Sequence, residues 1–194
     1  AVSSSILAAI IGTLAAVGMP NVNLRGKGVM EYISTLPIMI PEIILGMVFL
    51  TYFALIGLPF GMLTLVIAHT SFCIPYIYML VKARLVGIDK SLAEAARDLG
   101  ASEIRVFFDI TLPLILPAIL SGMLLSFAMS LDDVVISIFV TGVNTNTLPI
   151  KIYTQLKTGV TPKINALSTL MLGATLLIYL LSSWLGKQGY HKEN

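Results

Sequence analysis

The chain has 194 residues, 57% of them hydrophobic and 11% charged, with a net charge of +2. Soluble domains are about one quarter charged, so this chain lacks the polar side chains to coat a water-facing surface; its mean hydropathy is +0.93, and a bilayer removes the requirement. The net charge is too small to argue for nucleic acid, and the single Cys73 excludes an internal disulfide framework or a CxxC metal site.

Crossing the hydrocarbon takes about 20 apolar residues, and unbroken runs of that length satisfy their backbone as helices. Five runs qualify as spans: 3–19, 33–56, 60–81, 113–140 and 165–186. The expected fold is all-α, a polytopic membrane helix bundle forming one domain. The opening AVSSSILAAIIGTLAAVG has no basic flank and no soluble domain after it, so it does not read as a secretory signal. It starts at the edge of a span without an initiator Met, and this first span is expected to be incomplete. Pro37 and Pro41 in the second run and Pro75 in the third mark expected bends. In the third run, HTSFCIPY carries His69; with only His191 as a second His, a packed, hydrogen-bonded imidazole is expected rather than a metal ligand.

Between the third and fourth spans lies an island of charge. Five of the 12 basic residues and five of the 10 acidic ones fall within 82–109. Ser91-Leu92-Ala93-Glu94 has the spacing of a capping box, and Gly100 stands where a left-handed residue ends a helix. Ser102 can cap a second short helix, Glu103–Ile110, with Val106, Phe107 and Ile110 as its apolar face. Leu112-Pro113 then turns the chain into the next span. The small side chains of Ala93, Ala95 and Ala96 allow another backbone to approach closely, which suits a docking knob for a partner.

Alternation of five spans puts the 19–28 loop, the island and the tail on one side. That side holds nine of the 12 Lys and Arg residues, including Arg25 and Lys192; Lys151, Lys157 and Lys163 lie opposite. The positive-inside rule makes the island cytoplasmic. Trp184, near the end of the last span, fits an interface anchor.

Three carboxylates fall within spans: Glu42 in PIMIPEIILG, and Asp132 and Asp133 in SLDDVVISIFVTG. Charge at bilayer depth is costly and usually faces a cavity or a pathway. Neighbouring helical residues point about 100° apart, so Asp132 and Asp133 cannot both face one pore; one lines the path while the other caps or pairs. Asp132 follows Pro113 by 19 residues, which is about 28 Å of helix and places it near the outer face. Glu42 either joins the path or satisfies amides freed by the prolines. A two-carboxylate hydrolase would need groups converging from separate helices, leaving only Glu42 with one Asp. Acidic groups favour a cationic solute, helped by cation–π contact from Tyr52, Phe53, Tyr76, Tyr78 or Phe127. The external lysines suit an acidic partner protein.

Glu94-Ala95-Ala96, three residues, Gly100, nine residues, then Ile110-Thr111-Leu112-Pro113 resembles the EAA signature of type I ABC importer permeases. SLDDVVISIFVTG, LPIKIYTQLKTGVTPKINAL and HTSFCIPY resemble the spermidine/putrescine members, so the likeness covers most of 60–170. The resemblance implies a type I ABC transporter transmembrane domain whose Glu94–Pro113 segment forms coupling helices seated on an ATPase subunit. Glu94, Ala95, Ala96, Gly100, Ile110, Leu112 and Pro113 would carry that contact. It also implies a second homologous permease, an ATPase dimer supplying ATP and Mg, and an extracytoplasmic polyamine-binding protein, in a bacterial inner membrane. No cofactor and no catalytic residue is expected in this chain, which has no G-x-x-x-x-G-K-[ST] motif. The family has six spans, so one span with its external segment is expected to precede residue 1. A permease of the same build for an iron complex, thiamine or an opine is the open alternative.

Overall fold

The computed structural model describes residues 1–21, 27–143 and 145–191; Arg25 and Lys192 lie outside the described residues. Ten α-helices run in order among them. They are α1 (Val2–Asn21), α2 (Lys27–Met39), α3 (Glu42–Leu55), α4 (Met62–Val86), α5 (Lys90–Asp98), α6 (Glu103–Arg105), α7 (Leu112–Asp132), α8 (Val135–Val140), α9 (Leu148–Thr158) and α10 (Pro162–His191). A π-helical segment, Val106–Thr111, joins α6 to α7. The described residues contain no strand, as the apolar run lengths predict.

Helix α4 is the axis of the bundle. It packs against α1, α2, α7 and α8, and its Ala68, Cys73, Ile77 and Val81 are completely buried. Buried apolar side chains from α1, α3, α7 and α8 join them in one core. Helix α10 lies against α7 and leaves most of its length exposed, with Leu170, Leu172, Leu177 and Trp184 all more than half exposed. In a bilayer such a face meets lipid or another apolar helix.

Two expected spans are broken. The 33–56 run is two helices, α2 and α3, bent by 112°. Pro41 causes the break: it lacks an N–H and pushes the preceding residue out of the α conformation. Its own backbone is extended, at φ −55° and ψ 134°, and its carbonyl accepts from the amides of Ile44 and Leu45 to restart the chain as α3. Pro37, Pro75 and Pro117 lie inside helices that continue through them. The 113–140 run ends its long helix at Asp132, and Asp133 turns extended, at φ −63° and ψ 125°, before α8. Gly46 on α3 admits the ring of Phe139 from α8, where even a methyl group would overlap it, so the two half-helices made by these breaks pack together.

The island also departs from expectation at two points. The cap of α5 is Asp89, whose carboxylate accepts from the Ser91 amide at 2.9 Å; the Ser91–Glu94 capping box does not form, because Ser91 is already within the helix. Asp and Ser are comparable N-caps, and the helix starts early enough for Asp89 to take that place. The chain does not turn at Leu112-Pro113. Glu103–Asp132 runs as one 30-residue helical rod. Pro113 cannot donate to the previous turn, and the π segment just before it rewinds the ladder, with the Leu112 amide donating to the Phe107 carbonyl.

Candidate functional site: a charged elbow and an acidic cavity

The elbow is held by local bonds. Gly100 adopts φ +84°, with its amide on the Arg97 carbonyl at 2.8 Å and the Ala101 amide on the Ala96 carbonyl at 3.0 Å. That pair of bonds is a Schellman stop, which favours Gly because it has no Cβ to clash. Ser102 caps the next helix by accepting from the Arg105 amide at 3.5 Å. Arg97 then straps the corner with a two-pronged bond to Glu103, at 2.6 and 3.0 Å; the pairing pushes the Arg97 guanidinium pKa up. Val106 is buried and Phe107 and Ile110 are half-buried, the apolar face expected of this segment. Glu94, Ala95 and Gly100 are exposed, Ala96, Ile110 and Leu112 half-buried, and Pro113 exposed. Around the alanines the elbow displays Leu92, Leu99, Ile104 and Phe108, at 49%, 90%, 72% and 58% exposure. Lone apolar side chains on a surface mean little, but several on one short elbow leave an unpartnered apolar rim.

The elbow is anchored to the bundle by Arg84. This side chain is buried at the end of α4 and donates from Nε to the Leu114 carbonyl at 3.1 Å. It ties α4 to the start of α7, just past the π segment. The sequence alone did not single it out, because its partner is a backbone carbonyl 30 residues away.

The three intramembrane carboxylates meet where the two broken spans meet. Glu42, Asp132 and Asp133 border one cavity of ≈470 Å³ together with Phe72, Met129, Val134 and Val135. The two aspartates differ in burial, and the cause is the break at Asp133, whose extended backbone takes it out of the helix that Asp132 ends, rather than the rotation between helical neighbours. Asp133 is buried and takes the amides of Ile136 and Ser137 at 3.2 and 2.8 Å, and the Ser137 hydroxyl at 2.7 Å. It serves the first turn of α8, whose amides the break had freed. Asp132 is exposed toward the cavity. Glu42 is also exposed, in the first turn of α3, where the Pro41 carbonyl accepts from the Ile44 and Leu45 amides. A helix N-terminus stabilises such a carboxylate through its dipole.

Aromatic placement differs from the sequence expectation. Phe53 and Tyr78 are buried in the core and Tyr52 faces outward; the ring at the cavity is Phe72. His69 is buried and hydrogen-bonded, as its surroundings predicted. Its partners are Ser130, Ser137 and Asp133. Helix α9 exposes Lys151 and Lys157, and Lys163 is exposed on α10. Lys157 lies 4.7 Å from the centre of the Tyr153 ring.

A family model described as the binding-protein-dependent transport system inner membrane component matches residues 8–188. The chain belongs to this family. The spermidine/putrescine transport system permease protein PotC of Haemophilus influenzae is 42% identical over 185 residues, covering 95% of this chain and 72% of that protein. The putrescine transport system permease protein PotI of Escherichia coli is 44% identical over 185 residues, covering 92% of this chain and 66% of that protein. PotC of Escherichia coli is 40% identical over 187 residues, with coverages of 96% and 71%. The chain thus spans roughly two thirds to three quarters of these relatives. Among solved structures, a chain of the MetNI methionine ABC transporter in inward-facing conformations superposes with TM-score 0.69, covering 97% of this chain and 92% of that one. At 18% identity the likeness establishes the fold: a type I ABC transporter permease bundle.

Proposed function

We propose that this chain is a permease subunit of an ATP-driven polyamine importer. The observation that carries the solute class is the 42% and 44% identity to permeases whose names state spermidine and putrescine, along 95% and 92% of the chain. An alkyl polyamine is cationic along its length and needs carboxylates and an apolar wall. The cavity offers both, in Glu42, Asp132, Phe72 and Met129.

In this reading the chain pairs with a second, homologous permease so that the two enclose the path. A polyamine-binding protein delivers solute at the outer face, where Lys151, Lys157 and Lys163 meet acidic groups on it. The 94–113 elbow lies in the cytoplasm and seats its apolar rim in a groove on an ATPase subunit, which binds ATP and Mg. ATP-driven closure of the ATPases pushes the elbow. Arg84 and the continuous Glu103–Asp132 rod carry the displacement to the cavity, a rigid-body switch. Asp132 and Glu42 receive the ammonium groups as solute leaves the binding protein, and Asp133 keeps the break that presents Asp132.

The test is uptake of radiolabelled spermidine by the complete importer in proteoliposomes with Asp132→Asn. Loss of uptake with normal co-purification of the ATPase subunit is the expected result. Full uptake by both Asp132→Asn and Glu42→Gln would remove the path role of this cavity.

A further inference from the structure

The structure joins the two sides of the α7/α8 break through one ring that no step of the proposed transport uses. His69, on α4, is only 1% exposed. Its Nδ1 lies 2.6 Å from the Ser130 hydroxyl, before the break. Its Nε2 lies 3.0 Å from the Ser137 hydroxyl and 3.3 Å from Asp133 Oδ2, after it.

The hydrogen-bond inventory fixes how these groups are wired. The Ser137 hydroxyl donates to Asp133, so it can only accept from His69, and Nε2 carries a proton. Nδ1, on the other side of the ring, is hydrogen-bonded to the Ser130 hydroxyl. The result is a continuous chain, Ser130 to Nδ1, Nε2–H to Ser137, Ser137 O–H to Asp133. Each of the ring's two nitrogens is satisfied, which a buried polar group requires. Phe72 packs edge-on against the ring at 5.4 Å, and α4 itself is the most enclosed helix of the bundle, so the ring is a fixed point.

We infer that His69 is a positioning residue for permeation: by clasping Ser130 and Ser137–Asp133 together it sets the angle of the break and so aims Asp132 into the cavity beside Glu42. Asp132 is the last residue of α7 and Asp133 the first extended one. Its direction is therefore set by the same two or three torsions that the clasp restrains. Breaking a helix within a membrane gives up backbone bonds that lipid cannot replace. Asp133 makes up those of α8, but Asp133 alone leaves α7 free to rotate relative to it. His69 is the group that bonds to both. The inference rests on the reading of the cavity as the solute path.

Four variants of the complete importer in proteoliposomes separate the possibilities: His69→Phe, His69→Gln, Asp132→Asn, and His69→Phe with Asp132→Asn. Co-purification of the ATPase subunit checks assembly of each. His69→Phe keeps a ring of similar size but no polar atoms, and misaiming a contact group by about 1 Å costs on the order of a hundredfold in rate; initial spermidine uptake should fall by roughly ten- to a hundredfold. Gln keeps a donor and an acceptor and should recover part of the loss. Because both substitutions act through one carboxylate, the double variant should be no slower than Asp132→Asn alone.

Multiplying losses in the double variant, or normal uptake by His69→Phe while Asp132→Asn is impaired, would overturn the role of His69 and leave the path intact. Normal uptake by Asp132→Asn would overturn the positioning role, which acts through that carboxylate; normal uptake by Glu42→Gln as well would remove the path reading with it. If His69→Phe fails to assemble, Ser130→Ala and His69→Gln carry the same comparison with Asp132→Asn: non-multiplying losses support the clasp and multiplying ones overturn it.

Discussion

The elbow and the cavity lie at opposite ends of the 30-residue Glu103–Asp132 rod, and they are built in opposite ways. The elbow is exposed, rich in charge and held by bonds between residues no more than six apart, such as Asp89 with Ser91 and Arg97 with Glu103. The cavity is formed by residues from α3, α4 and the α7/α8 break, and its decisive bonds span 61 and 68 residues. A docking surface must be complete before its partner arrives, and local capping supplies that. A solute path in a bilayer must hold charge away from lipid, and only contacts across the bundle can do so.

The difference predicts how each region fails. Bulky substitutions on the elbow's small face should have the largest effect: Ala95→Trp with Ala96→Trp should abolish spermidine uptake while the chain still inserts and pairs with its sister permease, as affinity purification would report. Asp132→Asn should follow, with uptake down by one to two orders of magnitude, the scale of a misplaced or lost contact at a reacting or binding centre. Gly100→Ala comes next. A left-handed conformation costs a non-Gly residue about 1–2 kcal/mol, so the elbow loosens without unfolding, and uptake should fall several-fold with ATP turnover less responsive to solute. Partial recovery with Gly100→Asn, which tolerates that region, would sharpen the assignment.

The smallest effect belongs to the helix cap. Asp89→Ala should lower uptake only slightly, and Asp89→Asn less still, measured in the same vesicles. The Ser91 amide holds the Asp89 carboxyl below its ordinary range. A depressed carboxyl contributes its stability in full above the unfolded value and loses it as the pH falls through the folded one. At neutral pH the cap is therefore fully formed. Only acidification of the elbow side below the usual carboxylate range should make the wild type resemble Asp89→Asn; a wild-type loss near pH 6–7 would point to another group.

The same contrast explains what was legible in the residues. Gly100 as a helix stop, Ser102 as a cap and the apolar face of Val106, Phe107 and Ile110 are short-range statements, and all appear in the structure. Even there, Ser91 was displaced as the cap by Asp89 two residues earlier, since both are good caps and composition does not rank them. Helix α9 inside the 141–165 segment was missed although Thr147 and Pro149 sit at its start; the run is too short and polar to register beside full spans. The breaks at Pro41 and Asp133 were hidden because hydropathy is blind to direction, and an apolar run reads as one span whether straight or bent by 112°. Helical rotation led to an expectation of unlike roles for Asp132 and Asp133, but the structure separates them by a helix break, and Asp133 is held there by Ser137 and His69; no local pattern announces a contact across the bundle.

In the proposed function, power enters at the elbow and solute passes at the cavity, as separable functions of one chain. ATP hydrolysis and spermidine uptake measured together in proteoliposomes of the complete importer, with loaded binding protein added, test it most directly. The expected result is that Ala95→Trp with Ala96→Trp leaves hydrolysis unresponsive to the loaded protein, whereas Asp132→Asn keeps the response while uptake falls by one to two orders of magnitude. An elbow variant that still imports spermidine in step with ATP turnover would contradict it.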